Sequence, residues 1–368
     1  MMKQQLYVIT GARGHLASTI IRYLRDEDCL IRGLILPSED GNDDGQIKYY
    51  KGDVTKTETL EALFENTENK EVIVIHTAAI ISIDKNITPH IYNVNVGGTK
   101  NVIDMCIRHN IKRLVYVSSV HAIPEPGNNT VITEVDSFSK DLVTGAYAKT
   151  KAEASQAVLD SVKKGLKAVI VHPSGIIGPY DDGSNHIVQL VQMQISGKLP
   201  ACVTGGYDFV DVRDVAKGCL LAAKKGKIGS CYILSNKYYS LKELLGYVNN
   251  ISGGKRKICL PLCVAKLFVP LFEWIAKVNK TRPLFTKYAL YAISSNSRFS
   301  HDKADRDWDI HRVICRQPSK TPSFGSKMQK MTYIALKSLI YKSGIRSIGS
   351  LLCCLFTFIT LLKKRYFL

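Results

Sequence analysis

Leu6-Tyr7-Val8-Ile9-Thr10-Gly11-Ala12-Arg13-Gly14-His15-Leu16-Ala17 decides how this chain is read: an apolar run breaks into a glycine turn and continues as a helix-forming segment. Glycine is needed where the backbone turns sharply and where it must touch a ligand with no Cβ in the way. Backbone N–H groups opening a helix, with the positive end of its dipole, then face an anion such as a pyrophosphate. Gly11, Arg13, Gly14 and Leu16 are therefore candidate dinucleotide contacts, and Ala17 is the small residue that lets the helix lie on the sheet. Many such loops are plain tight turns; its place between a strand and a helix argues for a ligand here.

Outward from this loop, short apolar runs alternate with stretches of helical period. Strands are predicted at residues 6–10, 30–36, 47–50, 72–77, 113–118 and 168–172, and amphipathic segments at 16–24, 60–64, 89–109 and 146–164. This alternation predicts an α/β fold, a Rossmann-type doubly wound parallel sheet built by right-handed crossovers. After Pro173 the repeat loosens, which divides the chain into a dinucleotide-binding domain over 1–175, to which later strands return, a smaller C-terminal substrate lobe over 176–306, and a tail over 307–368.

With 368 residues and 45% hydrophobic content, a large buried core is expected. The net charge of +18 is uneven: residues 1–306 hold 39 Lys and Arg against 30 Asp and Glu, whereas the last 62 hold 11 against 2. The basic excess is concentrated in the tail, so neither a nucleic acid nor a membrane partner is read from it. Ten cysteines without CxxC spacing, some within apolar runs, fit a reducing cytoplasm and no zinc site, and no export signal opens the chain.

Two further stretches fit the dinucleotide pocket. In Gly52-Asp53-Val54 a carboxylate is placed to accept from an adenine amine, and Ala78 and Ala79 follow the fourth strand; each stretch also reads as a strand-end turn. A carboxylate ending the second strand would favour NAD, but Leu36-Pro37-Ser38 stands there. Arg13 could pair a 2'-phosphate or simply be a solvated loop cation, so the reading leans to NADP and leaves NAD open.

Tyr147-Ala148-Lys149-Thr150-Lys151 puts a phenol and an ammonium on one helix face. A tyrosine of pKa about 10 is a poor base near neutrality, and an adjacent cation is expected to lower that value. Tyr147 is the candidate acid/base, Lys151 the cation that tunes it and holds the cofactor ribose, and Ser119, after the strand Val115-Tyr116-Val117-Ser118, the residue that polarises the substrate oxygen.

Together these residues resemble the extended short-chain dehydrogenase/reductase family, which includes NAD-dependent epimerases and dehydratases, over roughly residues 5–306. Further landmarks are Asn93-Val94-Asn95-Val96-Gly97-Gly98-Thr99, His172-Pro173-Ser174-Gly175-Ile176-Ile177-Gly178-Pro179 and Asp208-Phe209-Val210-Asp211-Val212-Arg213-Asp214-Val215-Ala216. The resemblance implies that Asn95 lies near the cofactor, that Pro173 passes the nicotinamide, and that the Asp211–Asp214 stretch closes the substrate lobe. His172 replaces the more usual Arg, which puts a nucleotide-sugar contact in doubt. The chain is most similar to the dihydroflavonol-reductase and 3β-hydroxysteroid-dehydrogenase branch, implying alcohol–ketone interconversion on a small hydrophobic substrate. A nucleotide-sugar epimerase or dehydratase and a non-catalytic NAD(P)-sensing regulator are the alternatives. Residues 258–275 could line an apolar pocket or form a packed helix pair, and the helices at 89–109 and 146–164 could form a homodimer interface.

Relatives of this kind finish soon after the Lys303-Ala304 pair, whereas this chain runs on for 62 residues past Arg306. Read one base out from the Asp307 codon, the gene permits LGYTPRNMSPAIEDSIVW, the ending the resemblance implies. The tail is therefore read as out of frame, and no acidic residue follows Asp309. The rival reading, a membrane anchor over 348–362, has only 15 residues where about 20 are needed to span.

Overall fold

The structure is a computed structural model that describes residues 3–82, 85–127, 130–180, 186–199, 201–252, 257–278 and 286–308, without the side chains of 186, 251 and 271–278. The tail beyond 308, with its 348–362 stretch, lies outside the described residues. Among those described, no helix is long and apolar enough to cross a membrane.

The first domain is a seven-stranded sheet made of β1 (Gln4–Thr10), β2 (Leu30–Ile35), β3 (Ile47–Lys51), β4 (Lys70–His76), β5 (Arg113–Val117), β6 (Ala168–Pro173) and β10 (Cys231–Leu234), in the order β10-β6-β5-β4-β1-β2-β3. Every neighbouring pair is parallel. The strands read as unbroken apolar runs because both faces are covered: β6 is buried throughout and β1 over its last five residues. One face packs under α1 (His15–Leu24) and α6 (Val212–Lys225), the other under α3 (Thr99–Arg108) and α4 (Ala146–Val162). The strand order reverses between β1 and β4, and this switch point opens a crevice at the carboxyl edge.

All six predicted strands are present, and β10 joins them from late in the chain. Two helical expectations are corrected. The 60–64 segment is a pair of 3-10 turns, Thr57–Thr59 and Glu61–Leu63, where Leu60 and Leu63 plug the core without a full helix. The 89–109 segment is α2 (Pro89–Tyr92), a π-helical stretch Asn93–Gly98, and then α3. The wider π turn carries Asn95 inward, and Gly98 passes so close to Val54 that a Cβ would overlap its side chain.

The smaller lobe is formed by a sheet of β7 (Gly175–Ile177), β9 (Gly206–Asp211) and β11 (Lys237–Ser240), a pairing of β8 (Cys202–Val203) with β12 (Cys259–Leu260), and helices α5 (His186–Ile195), α7 (Leu241–Ser252), α8 (Leu262–Val278) and α9 (Lys287–Ser294). Finally, α10 (Asp302–Trp308) packs on β10, carrying two residues beyond 306 into the fold. Asp307 accepts from the Tyr232 hydroxyl at 2.8 Å and from Lys227 Nζ at 3.0 Å, and the Trp308 ring lies 4.1 Å from that of Tyr232.

Trp308 is 1% exposed. Trp308→Ala is therefore expected to lower the unfolding free energy by about 3–5 kcal/mol, the usual cost of emptying a large aromatic site. Urea denaturation checks this, and a loss below ~1 kcal/mol would contradict the packing described.

Candidate active site

At the switch point, Gly11 adopts φ +66°, a conformation that favours glycine, and a Cβ there would meet the Ala78 backbone at 3.1 Å. The ends of β1 and β4 are thereby drawn together. Gly14 begins α1 with no side-chain cap, so the first-turn N–H groups are left to a ligand. Arg13 is exposed in this loop, whereas Leu16 is buried against the sheet. Across the crevice, Val54 is buried and Asp53 is half-buried, one of its carboxylate oxygens accepting from Thr55 N at 2.8 Å. A close glycine approach, an uncapped helix and a shallow apolar wall together suit a dinucleotide. Gly11, Gly14 and the α1 amides would hold its pyrophosphate and Asp53 and Val54 its adenine end, while Ala79 adjoins Ala78 after β4.

Asn95 is held by the fold itself. It is 1% exposed, accepts from Ile80 N at 2.8 Å, and donates to Ile80 O and to Thr150 Oγ1, each at 3.0 Å. It thus ties the loop after β4 to helix α4. The sequence did not reveal this, since the 55 residues from Asn95 to Thr150 are bridged only in the fold.

On α4, Lys151 is 2% exposed, and its Nζ donates to Val117 O at 2.7 Å and to the Tyr116 hydroxyl at 3.4 Å, lying 4.8 Å from that ring's centre. The Tyr116 hydroxyl is in turn hydrogen-bonded to Thr99. Burial, with no carboxylate to offset it, pushes Lys151 down to about 7. One turn earlier, the Tyr147 hydroxyl is hydrogen-bonded to Ser119, and burial pushes Tyr147 up to about 12. The expected lowering of Tyr147 by Lys151 is not seen. The ammonium is turned to the Val117 carbonyl and Tyr116, so burial dominates at the phenol.

Around this core burial also holds the histidines neutral at neutral pH. Burial pushes His76 down to about 3, and its ring bridges Thr10 Oγ1 at 2.7 Å and Thr99 Oγ1 at 3.1 Å. His172 is fully buried, is pushed down to about 4 by burial, and donates from Nδ1 to Ser119 O at 2.9 Å. It orients the Ser119 backbone from behind and stacks on Phe138. Pro173 is buried beside it, and Ser174 hydrogen-bonds the buried Asp208.

Two features were missed from the sequence. His121, two residues after Ser119, meets the Tyr147 ring edge-on at 6.4 Å, and its Nε2 is hydrogen-bonded to the Tyr207 hydroxyl at 2.9 Å. Beside it opens a cavity of about 190 Å³ lined by Val120, Ile123, Ile132, Tyr207, Tyr291 and Phe299 among others. No described side chain of residues 258–275 lines it. Ile258, Leu267 and Phe268 are exposed there, while Ala265 and Val269 pack inward. Leucines and tyrosines so far apart in sequence carry no local signal that could have sorted wall from surface.

The chain matches the NAD dependent epimerase/dehydratase family over residues 7–234 and belongs to it. It is an NAD(P)-dependent enzyme of the extended short-chain dehydrogenase/reductase type. Among its relatives, a Synechocystis sp. protein bearing the name dihydroflavonol 4-reductase is 30% identical, over 73% of this chain and 78% of its own. Sterol demethylase protein B of Methylococcus capsulatus is 26% identical over 82% of this chain and 92% of its own. The crystal structure of gox2253 superimposes with a TM-score of 0.73 at 27% identity, covering 91% of this chain and 99% of that one. The fold is shared with dTDP-glucose 4,6-dehydratase from Bacillus anthracis in complex with NAD, at a TM-score of 0.68 and 19% identity over 90% of this chain and 97% of that one.

Tyr116→Phe keeps the ring over Lys151 and removes one of its two hydrogen-bond acceptors, which disfavours the ammonium and lowers its pKa further. The alkaline limb of the kcat/KM profile is expected to move to lower pH; a limb unchanged from the parent enzyme would contradict the role given to this phenol.

Proposed function

We propose that this enzyme interconverts an alcohol and a ketone on a small, apolar, uncharged substrate, with Tyr147 as proton donor and acceptor. The observation that carries this reading is the cavity wall: among the described residues that line it, Glu125 is the one charged residue, with no Lys or Arg. A diphosphate or carboxylate placed there would lack a cationic partner and be repelled, which disfavours a nucleotide sugar. Val120, Ile123, Ile132 and Phe299 instead offer apolar area to a hydrocarbon framework.

In the reducing direction, Tyr147 Oη gives its proton to the carbonyl oxygen as negative charge develops there. Ser119, already hydrogen-bonded to that phenol, holds the same oxygen in line. Lys151, its ammonium anchored on the Val117 carbonyl one helical turn away, sets a buried positive charge near the phenol without touching it. When bound, the dinucleotide supplies or accepts the hydride. Exposed Arg13, and Leu36 in place of a carboxylate after β2, favour NADP, although Glu39 lies close by and accepts from Leu36 N at 2.8 Å. The intact Tyr147, Lys151 and Ser119 set favours catalysis over a purely sensing role.

Tyr147→Phe tests the assignment on a panel of apolar ring ketones with both reduced dinucleotides. Turnover is expected to fall at least ~100-fold while dinucleotide affinity, read by calorimetry, is kept; retained turnover would refute the role of the phenol.

A further inference from the structure

Three neutral hydrogen-bonding groups gather beside Tyr147 on elements far apart in the chain. His121 follows β5, Tyr207 lies on β9 and Tyr288 on α9. The His121 ring stacks on Tyr207 at 5.5 Å, and lies 6.4 Å from the Tyr147 ring and 6.5 Å from that of Tyr288. The Tyr207 hydroxyl and His121 Nε2 are hydrogen-bonded at 2.9 Å, with the donor set by the imidazole tautomer. Burial pushes His121 down to about 4 and pushes Tyr207 and Tyr288 up, so the cluster carries no charge at neutral pH.

Tyr288 is the member without an internal partner. Its hydroxyl is buried and finds no hydrogen bond among the described residues. An unmatched buried hydroxyl is costly, and a ligand atom that completes it removes that cost. The chain also makes room for this ring. Gly145, the residue before α4, has φ +101°, and a Cβ there would overlap Tyr288. A glycine at the start of the catalytic helix thus admits a phenol from the opposite lobe.

We propose that Tyr288 and His121 form the substrate-recognition pair of this site, selecting ketones and alcohols that carry a second, uncharged oxygen on the carbon next to the reacting one. The inference rests on the oxidoreductase reading above. Tyr147 and Ser119 take the reacting oxygen, and the Tyr288 hydroxyl and the His121 imidazole meet the neighbouring one. Both groups are neutral, so they match a hydroxyl or carbonyl better than a carboxylate or phosphate. A site built to hydrogen-bond a substrate oxygen rejects the analogue that lacks it, because its own polar groups are then left unpaired.

The full chain is assayed with cyclohexanone and 1-tetralone against their 2-hydroxy derivatives, with reduced NAD and NADP. The parent enzyme is expected to favour each hydroxyketone by about tenfold or more in kcat/KM, the scale of one net hydrogen bond. In Tyr288→Phe, with folding checked by circular dichroism, that ratio is expected to fall towards one, chiefly through KM. A parent ratio near one, or a ratio that survives in Tyr288→Phe, overturns the recognition pair while leaving the oxidoreductase reading intact. Absence of turnover with every ketone and both dinucleotides overturns that reading and this inference together.

Discussion

A lysine ammonium buried to 2% exposure and held 2.7 Å from the Val117 carbonyl organises this molecule. An ammonium withdrawn from water is costly unless its donors are used, and no carboxylate stands close enough to pay for it. Its partners are the last carbonyl of β5 and the Tyr116 hydroxyl on the same strand, so the helix can sit only where Lys151 reaches that edge. Tyr147, one turn earlier, is thereby set opposite Ser119, which follows the same strand.

The surroundings preserve that single charge. His76, His121 and His172 are all held neutral by burial, and the tyrosines nearby are held protonated. When Tyr147 gives up its proton, the phenolate left behind therefore lies in surroundings whose histidines and tyrosines are neutral, one helical turn from the Lys151 ammonium. The two halves of the chain share the work. The parallel sheet fixes Ser119, Lys151 and the glycine loop, while the later lobe brings Tyr207, Tyr291 and Phe299 to form the wall.

What could be read from the sequence follows from how local each signal is. The strands, the Gly11–Gly14 turn and the Tyr147–Lys151 spacing are set by period and steric demand within a few residues, and the fold keeps all of them. Asn95 was legible as a residue that matters, but its two-way tie to Ile80 and Thr150 depends on a π turn that no periodicity announces. The rise of Tyr147 to about 12 was read with the wrong sign, because spacing shows that Lys151 shares a helix face with the phenol and not that its ammonium points elsewhere. His121, Tyr207 and Tyr288 were silent, since 86 residues separate the first two and only the assembled lobes bring them together.

The most direct test of the account is to follow the titration of the Lys151 amine by nitrogen NMR in enzyme with labelled lysine, its resonance assigned by loss in Lys151→Met. The account predicts one lysine titrating near 7, about three units below the ordinary lysine value, shielded from exchange with solvent. A Lys151 resonance that titrates at the ordinary lysine value of 10.5 would contradict it, because the amine would then be solvated and unable to fix Tyr147 against the strand.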